Sequence, residues 1–191
     1  DEFGKVDLAE TAPFLEKDLS RVATLPPSVD EAYIQLLKEG IGDPSRLAKA
    51  APKVVFTPIH GTGGVISAPL LDAVGVDVGV VPEPAEMDSR FPTVESPNPE
   101  NAEALAMGIE LAEKTGAEAV LATDPDGDRM GAAVRAPDGT MSLLTGNMIG
   151  SLFAEFRIAQ LKRNGVLPAE GSERAALIKT FVTTPLQDSI G

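Results

Sequence analysis

The chain has 191 residues, 43% of them hydrophobic and 24% charged, which is the composition of a globular protein long enough to bury a core. Lys+Arg 16 against Asp+Glu 29 gives a net charge of −13. A phosphate backbone or an anionic membrane needs a basic face, so neither nucleic acid nor membrane is an expected partner. Cysteine is absent, which removes a disulfide framework and a thiolate zinc site from consideration. No apolar run reaches about 18 residues and no secretory signal opens the chain, so a cytoplasmic protein is expected. Asp1 is not a methionine, and the last residues stop within a strand-to-helix pattern. The sequence therefore reads as part of a longer one.

Residues 1–52 read as a polar, mostly helical lead-in. From Asp30, the residues Ala32, Ile34, Leu36 and Leu37 make most of an apolar stripe, closed by Gly40 and Gly42. Lys53 to Pro58 is a short β-branched run, hence a buried strand. It leads into the loop His60-Gly-Thr-Gly-Gly64 and a helix near Val65 to Val74. Val76 to Val81 predicts a second strand, broken by Pro82-Glu-Pro84. After the proline-rich stretch 84–99, Asn98 is placed to cap a helix with Pro99 at its first position and Gly116 at its end. Ala119 to Thr123 is a third strand. Met130 to Arg135 and Thr140 to Leu144 form a hairpin around Pro137-Asp-Gly139. A long helix spans Gly146 to Arg163, and Ala175 to Val182 reads as a last strand. Alternating strands and helices predict an α/β fold, a mixed, largely parallel sheet flanked by helices. A composition change suggests a boundary between domains at 1–136 and 137–191.

The strongest chemical signal is Asp124-Pro-Asp-Gly-Asp-Arg129. Three alternating carboxylates just beyond a buried strand can converge on one centre, where their charges repel unless a cation joins them. Such hard oxygen donors suit Mg²⁺ or Ca²⁺. A calcium loop of the EF-hand type fails downstream, because its glycine place holds Arg129 and its closing glutamate place holds Arg135. A solvated Asp-rich turn shaped by Pro125 and Gly127 is the competing reading. Arg129 can hold a phosphate group bidentately, or pair with a neighbouring Asp. The loop 60–64 can receive an anion on its backbone N–H groups. It can equally be a tight turn that needs glycine. His60, the only histidine, is a candidate substrate-side or acid/base group, or a structural hydrogen-bonder. No nucleophile elbow is present.

Together these segments resemble the α-D-phosphohexomutase family, the phosphoglucomutases and phosphomannomutases. The matching residues run in the family's order: Thr57-Pro-Ile-His-Gly-Thr-Gly-Gly64, Phe91-Pro-Thr-Val94 with Pro97-Asn-Pro-Glu100, Asp124-Pro-Asp-Gly-Asp-Arg129, and Thr145-Gly-Asn147. The second of these is most like the branch of phosphoglucomutase-2-like proteins and phosphopentomutases. Met87-Asp-Ser-Arg90 departs from the acidic, proline-containing stretch of the family. The resemblance implies domain II of a four-domain enzyme plus the start of domain III. It implies Asp124, Asp126 and Asp128 as Mg²⁺ ligands and Arg129 as a phosphate contact. The nucleophilic serine lies outside this chain, so no residue here is assigned a catalytic role. The implied reaction interconverts a sugar 1-phosphate and 6-phosphate through a phosphoserine and a bisphosphorylated intermediate. This piece alone is expected to be inactive. A phosphopentomutase, or a stand-alone metal- or partner-binding module, is the alternative. With the rest of domain III missing, the strand at 175–182 and the apolar residues Leu152, Phe153, Phe156, Ile158 and Leu161 imply a homodimer through residues 140–191.

Overall fold

The structure, a computed structural model, describes residues 23–41, 44–170 and 175–191. The expectations for residues 1–22 and Gly42 lie outside them. Strands are β1 (Lys53–Thr57), β2 (Asp77–Val80), β3 (Ala119–Thr123), β4 (Met130–Arg135) and β5 (Met141–Leu144). Helices are α1 (Ser28–Gly40), α2 (Pro44–Ala50), α3 (Gly63–Ala73), the single turn α4 (Pro82–Ala85), α5 (Ala102–Thr115) and α6 (Gly146–Arg163). One sheet has the order β2-β1-β3-β4-β5. The crossovers through α3 and α5 are long enough to make β2, β1 and β3 parallel. The loop 124–129 and the Pro137-Asp-Gly139 turn are too short for that, so β4 lies antiparallel to both β3 and β5. All strands but β4 therefore run one way, as a mixed, largely parallel sheet.

Both faces of the sheet are covered, which is why the strands read as apolar runs. Successive side chains point to opposite faces. Val55 and Val120 join Ile59, Val81, Leu105, Ala112 and Ala133 in a core beneath α5. Val54, Ala119 and Leu121 face the other way, with Val74, Val76, Leu70 and Leu47. Gly108 lets α5 come close, for a Cβ there would lie 2.8 Å from Val120 Cγ1.

Three expectations are corrected. The cap at Asn98 is displaced: α5 opens at Ala102 after an extended Asn101. Asn98 instead shapes the preceding turn, its Oδ1 accepting from the Glu100 N–H at 3.1 Å. That turn is tied to the sheet, because buried Pro99 sits against Gly131 of β4, where any Cβ would collide with the Pro99 carbonyl. The α1 stripe is shallow. Ile34 and Leu37 are half-buried, whereas Ala32 and Leu36 are exposed. Residues 175–182 form no strand. They pair with neither edge of the sheet, and Ile178 and Phe181 stand 90% and 101% exposed. The chain then makes a 3₁₀ turn at Pro185–Ser189. Among the described residues, no helix is long and apolar enough to cross a membrane.

Candidate metal centre

β1 and β3 are parallel neighbours, with Thr57 opposite Ala122. Their C-terminal ends therefore bring the glycine loop 60–64 and the acidic loop 124–129 to the same sheet edge, the usual ligand edge of such sheets. Asp124 follows β3 directly and is fully buried. Its Oδ1 accepts from the Arg129 N–H at 2.9 Å and its Oδ2 from Arg129 Nε at 2.8 Å. The loop closes on itself through Asp124 N–H to Arg129 O at 3.2 Å and Gly127 N–H to Asp124 O at 3.1 Å. Gly127 supplies the positive φ of 77° that this turn requires.

Asp126 and Asp128 are exposed, yet one carboxylate oxygen from each of Asp124, Asp126 and Asp128 lies within 4.8 Å of the others. Burial works to raise the Asp124 carboxyl, but the hydrogen bonds from the Arg129 amide and guanidinium and from Asp128 outweigh it, and the net direction is down. Asp128 is pushed up by its hydrogen bond to Asp124 and then by the charges of Asp126 and Asp124. The three carboxylates crowd one another, and a cation placed among them would offset that repulsion. The donor set is oxygen only, which fits a hard divalent ion.

Arg129 shows the ion-pair alternative directly, with Nε on Asp124 and its side chain 58% exposed. Both ring nitrogens of His60 are taken: Nδ1 donates to Glu86 O at 2.8 Å, and Nε2 meets Thr93 Oγ1 at 2.8 Å. The structure does not bring this buried ring to the carboxylate cluster. The glycine loop serves as a cradle. Thr62 N–H and Oγ1 both donate to Pro125 O, at 2.9 and 3.2 Å. A Cβ on Gly61 would run into the Pro125 backbone, and one on Gly63 into Thr123 Oγ1. That Thr123 hydroxyl is the buried side-chain group without a hydrogen-bond partner among the described residues. Sequence reasoning missed the Thr62–Pro125 and His60–Thr93 contacts. The paired glycines of the loop were the available signal for the first.

The Thr145-Gly-Asn147 segment follows β5, two strands from β3, at the same end of the sheet as the acidic loop. Thr145 Oγ1 caps α6 by accepting from the Met148 N–H at 3.3 Å. Gly146 and Asn147 help line a cavity of about 510 Å³ with Glu100, Lys179 and Gln187.

The family model described as phosphoglucomutase/phosphomannomutase, alpha/beta/alpha domain II, matches residues 31–139. The chain belongs to this family. A phosphoglucomutase of Staphylococcus aureus strain USA300 is 34% identical over 149 residues, covering 78% of this chain and 26% of that protein. The phosphoglucomutase of strain MRSA252 matches with the same 34% identity and the same coverage. A solved structure of a phosphoglucomutase/phosphomannomutase family protein from Burkholderia thailandensis superposes with a TM-score of 0.52 at 25% identity, over 71% of this chain and 26% of that one. The chain thus spans about a quarter of the length of the curated relatives it matches. The five-stranded α/β layer is the domain II fold of this mutase family.

Proposed function

We propose that this chain is the metal-binding segment of a phosphohexomutase, an intramolecular phosphotransferase that interconverts sugar 1-phosphates and 6-phosphates. Asp124, Asp126 and Asp128 are the Mg²⁺ ligands in this reading. The observation that carries it is the convergence of three carboxylates within 4.8 Å at the ligand edge of the sheet, in a chain of this family. When bound, the cation would offset negative charge on a phosphoryl group in transfer. Arg129 holds Asp124 from both its amide and its guanidinium, which fixes the buried ligand before any ion arrives. The exposed part of the same guanidinium is the group we assign to a substrate phosphate. Asp126 and Asp128, open to solvent, leave room for a donor from outside this chain, which in this reading is the phosphoserine. A cytoplasmic location goes with the proposal, since charged sugar phosphates do not cross a bilayer unaided.

The test is turnover of glucose 1-phosphate, with Mg²⁺ and catalytic glucose 1,6-bisphosphate, by the full-length parent protein and its Asp126→Asn variant. Loss of a direct ligand should exceed the about 10- to 100-fold loss typical of an outer-shell partner. The 191-residue chain alone should give no product, because phosphoryl transfer needs the nucleophile positioned as well. Wild-type turnover by Asp126→Asn at limiting Mg²⁺ would overturn the assignment.

A further inference from the structure

We propose that His60 and Thr93 are positioning residues for the acidic loop. Their hydrogen bond fixes the backbone elbow that carries Gly61 and Thr62, and through these the placement of Asp124, Asp126 and Asp128. The proposal rests on the metal reading above.

The elbow is strained. Ile59 and His60 are consecutive non-glycine residues at φ 46° and 59°, a region unfavourable for L-residues and most of all for a β-branched one. Such backbone persists only where its surroundings over-determine it. Here they do. Residue 60 makes four hydrogen bonds to the segment 84–93. Its N–H donates to Pro84 O at 2.8 Å, and its carbonyl accepts from the Asp88 N–H at 3.2 Å. Its ring meets Glu86 O and Thr93 Oγ1, each at 2.8 Å. The Glu86 carbonyl can only accept, so Nδ1 carries a proton and donates to it, while Nε2 pairs with the Thr93 hydroxyl, which can donate or accept. A proton-transfer role would need a ring nitrogen facing a substrate, and both nitrogens are already engaged inside the protein.

The next two residues touch the acidic loop. Gly61 presses on the Pro125 backbone, and Thr62 donates twice to Pro125 O. Pro125 lies between Asp124 and Asp126 in the chain. Contiguous hydrogen bonds and backbone packing therefore run from Thr93 to the buried and the exposed carboxylate. An apolar residue at position 60 could fill the same buried space without fixing a direction. The imidazole fixes one.

Thr93→Val removes the hydroxyl at nearly constant shape, and Thr93→Ser restores it. Mn²⁺ is the probe, its binding followed by electron paramagnetic resonance well below each variant's melting temperature. Asp126→Asn supplies the baseline. Exchange of the Thr62 amide is read by NMR in the metal-free chain. We expect the Mn²⁺ Kd of Thr93→Val to rise about 10-fold and that of Thr93→Ser to stay within about twofold of wild type. The Thr62 amide should exchange faster in Thr93→Val, with the Val120 amide of β3 unchanged. A Thr93→Val chain with a lower Tm but unaltered Kd and Thr62 exchange would overturn the proposal alone. Where the valine variant does not fold, Thr93→Ala takes its place. Failure of both to fold would assign the pair to the fold only and likewise overturn it. A wild-type chain that binds no Mn²⁺ would overturn the metal reading together with this one.

Discussion

Arg90 encloses the Asp88 carboxylate and holds it below its usual range. The guanidinium donates through Nε at 2.9 Å and Nη2 at 2.6 Å, and the Arg90 N–H adds a third bond at 2.9 Å. The side-chain bonds first, then the amide, push the carboxyl from 3.8 down to about 2. A depressed acid contributes stability above its ordinary pKa and loses it as pH falls through the lowered one. The window is therefore between 3.8 and about 2. Arg90 is exposed and Asp88 only half-buried, so solvent screening keeps the contribution small. Carboxyl-carbon NMR should find the Asp88 midpoint near 2 in wild type and shifted back up in Arg90→Ala. An unshifted midpoint in that variant would contradict the enclosure. At this scale the alternating carboxylates were legible, because their spacing alone raises the question of what offsets their charge. Thr93 and Pro125 were not. Their partners lie 33 and 63 residues away in sequence, and nothing local in a threonine or a proline carbonyl announces a distant hydrogen bond.

Gly131 decides how the turn at residues 98–100 meets the sheet. Its hydrogen leaves space for the Pro99 carbonyl, and a methyl there would strike backbone that cannot rotate away. Gly131→Ala should therefore destabilise the chain by about 1–3 kcal/mol, despite the gain an alanine brings to strand backbone entropy. Urea unfolding measures this, and unchanged stability would show that the turn moves freely. Elements with a two-sided apolar environment or a firm stop were readable from sequence. β3 has the expected bounds because Ala119 to Thr123 is apolar between Gly116 and the acidic loop. α6 begins where Thr145 caps it. The segment 175–182 failed for a physical reason. β-branched residues such as Ile178 and Val182 favour extended backbone, but a strand also needs a neighbour to hydrogen-bond, and sequence does not show which edges are free. Asn98 failed similarly, since the docking of Pro99 on β4 is a tertiary contact that overrides a good local cap.

Across the whole molecule, the sheet presents its acidic loop at one edge while apolar side chains gather near the C-terminus. Leu152, Phe153 and Phe156 of α6, with Ile178, Phe181 and Val182, are all more than half exposed. We propose that the chain self-associates through residues 140–191, against a net charge of −13 whose repulsion weakens with salt. Light scattering after size exclusion should find a dimer at moderate salt, and a monomer once residues 175–191 are deleted. A clean monomer at high protein concentration would refute this. The central claim concerns the acidic loop, where three carboxylates converge beside the glycine loop. Isothermal titration of the chain with Mg²⁺, wild type against Asp126→Asn, tests it most directly. The account predicts weak, saturable single-site binding by the wild type and its loss in the variant. Indistinguishable heats from the two proteins, or no binding by the wild type, would contradict it.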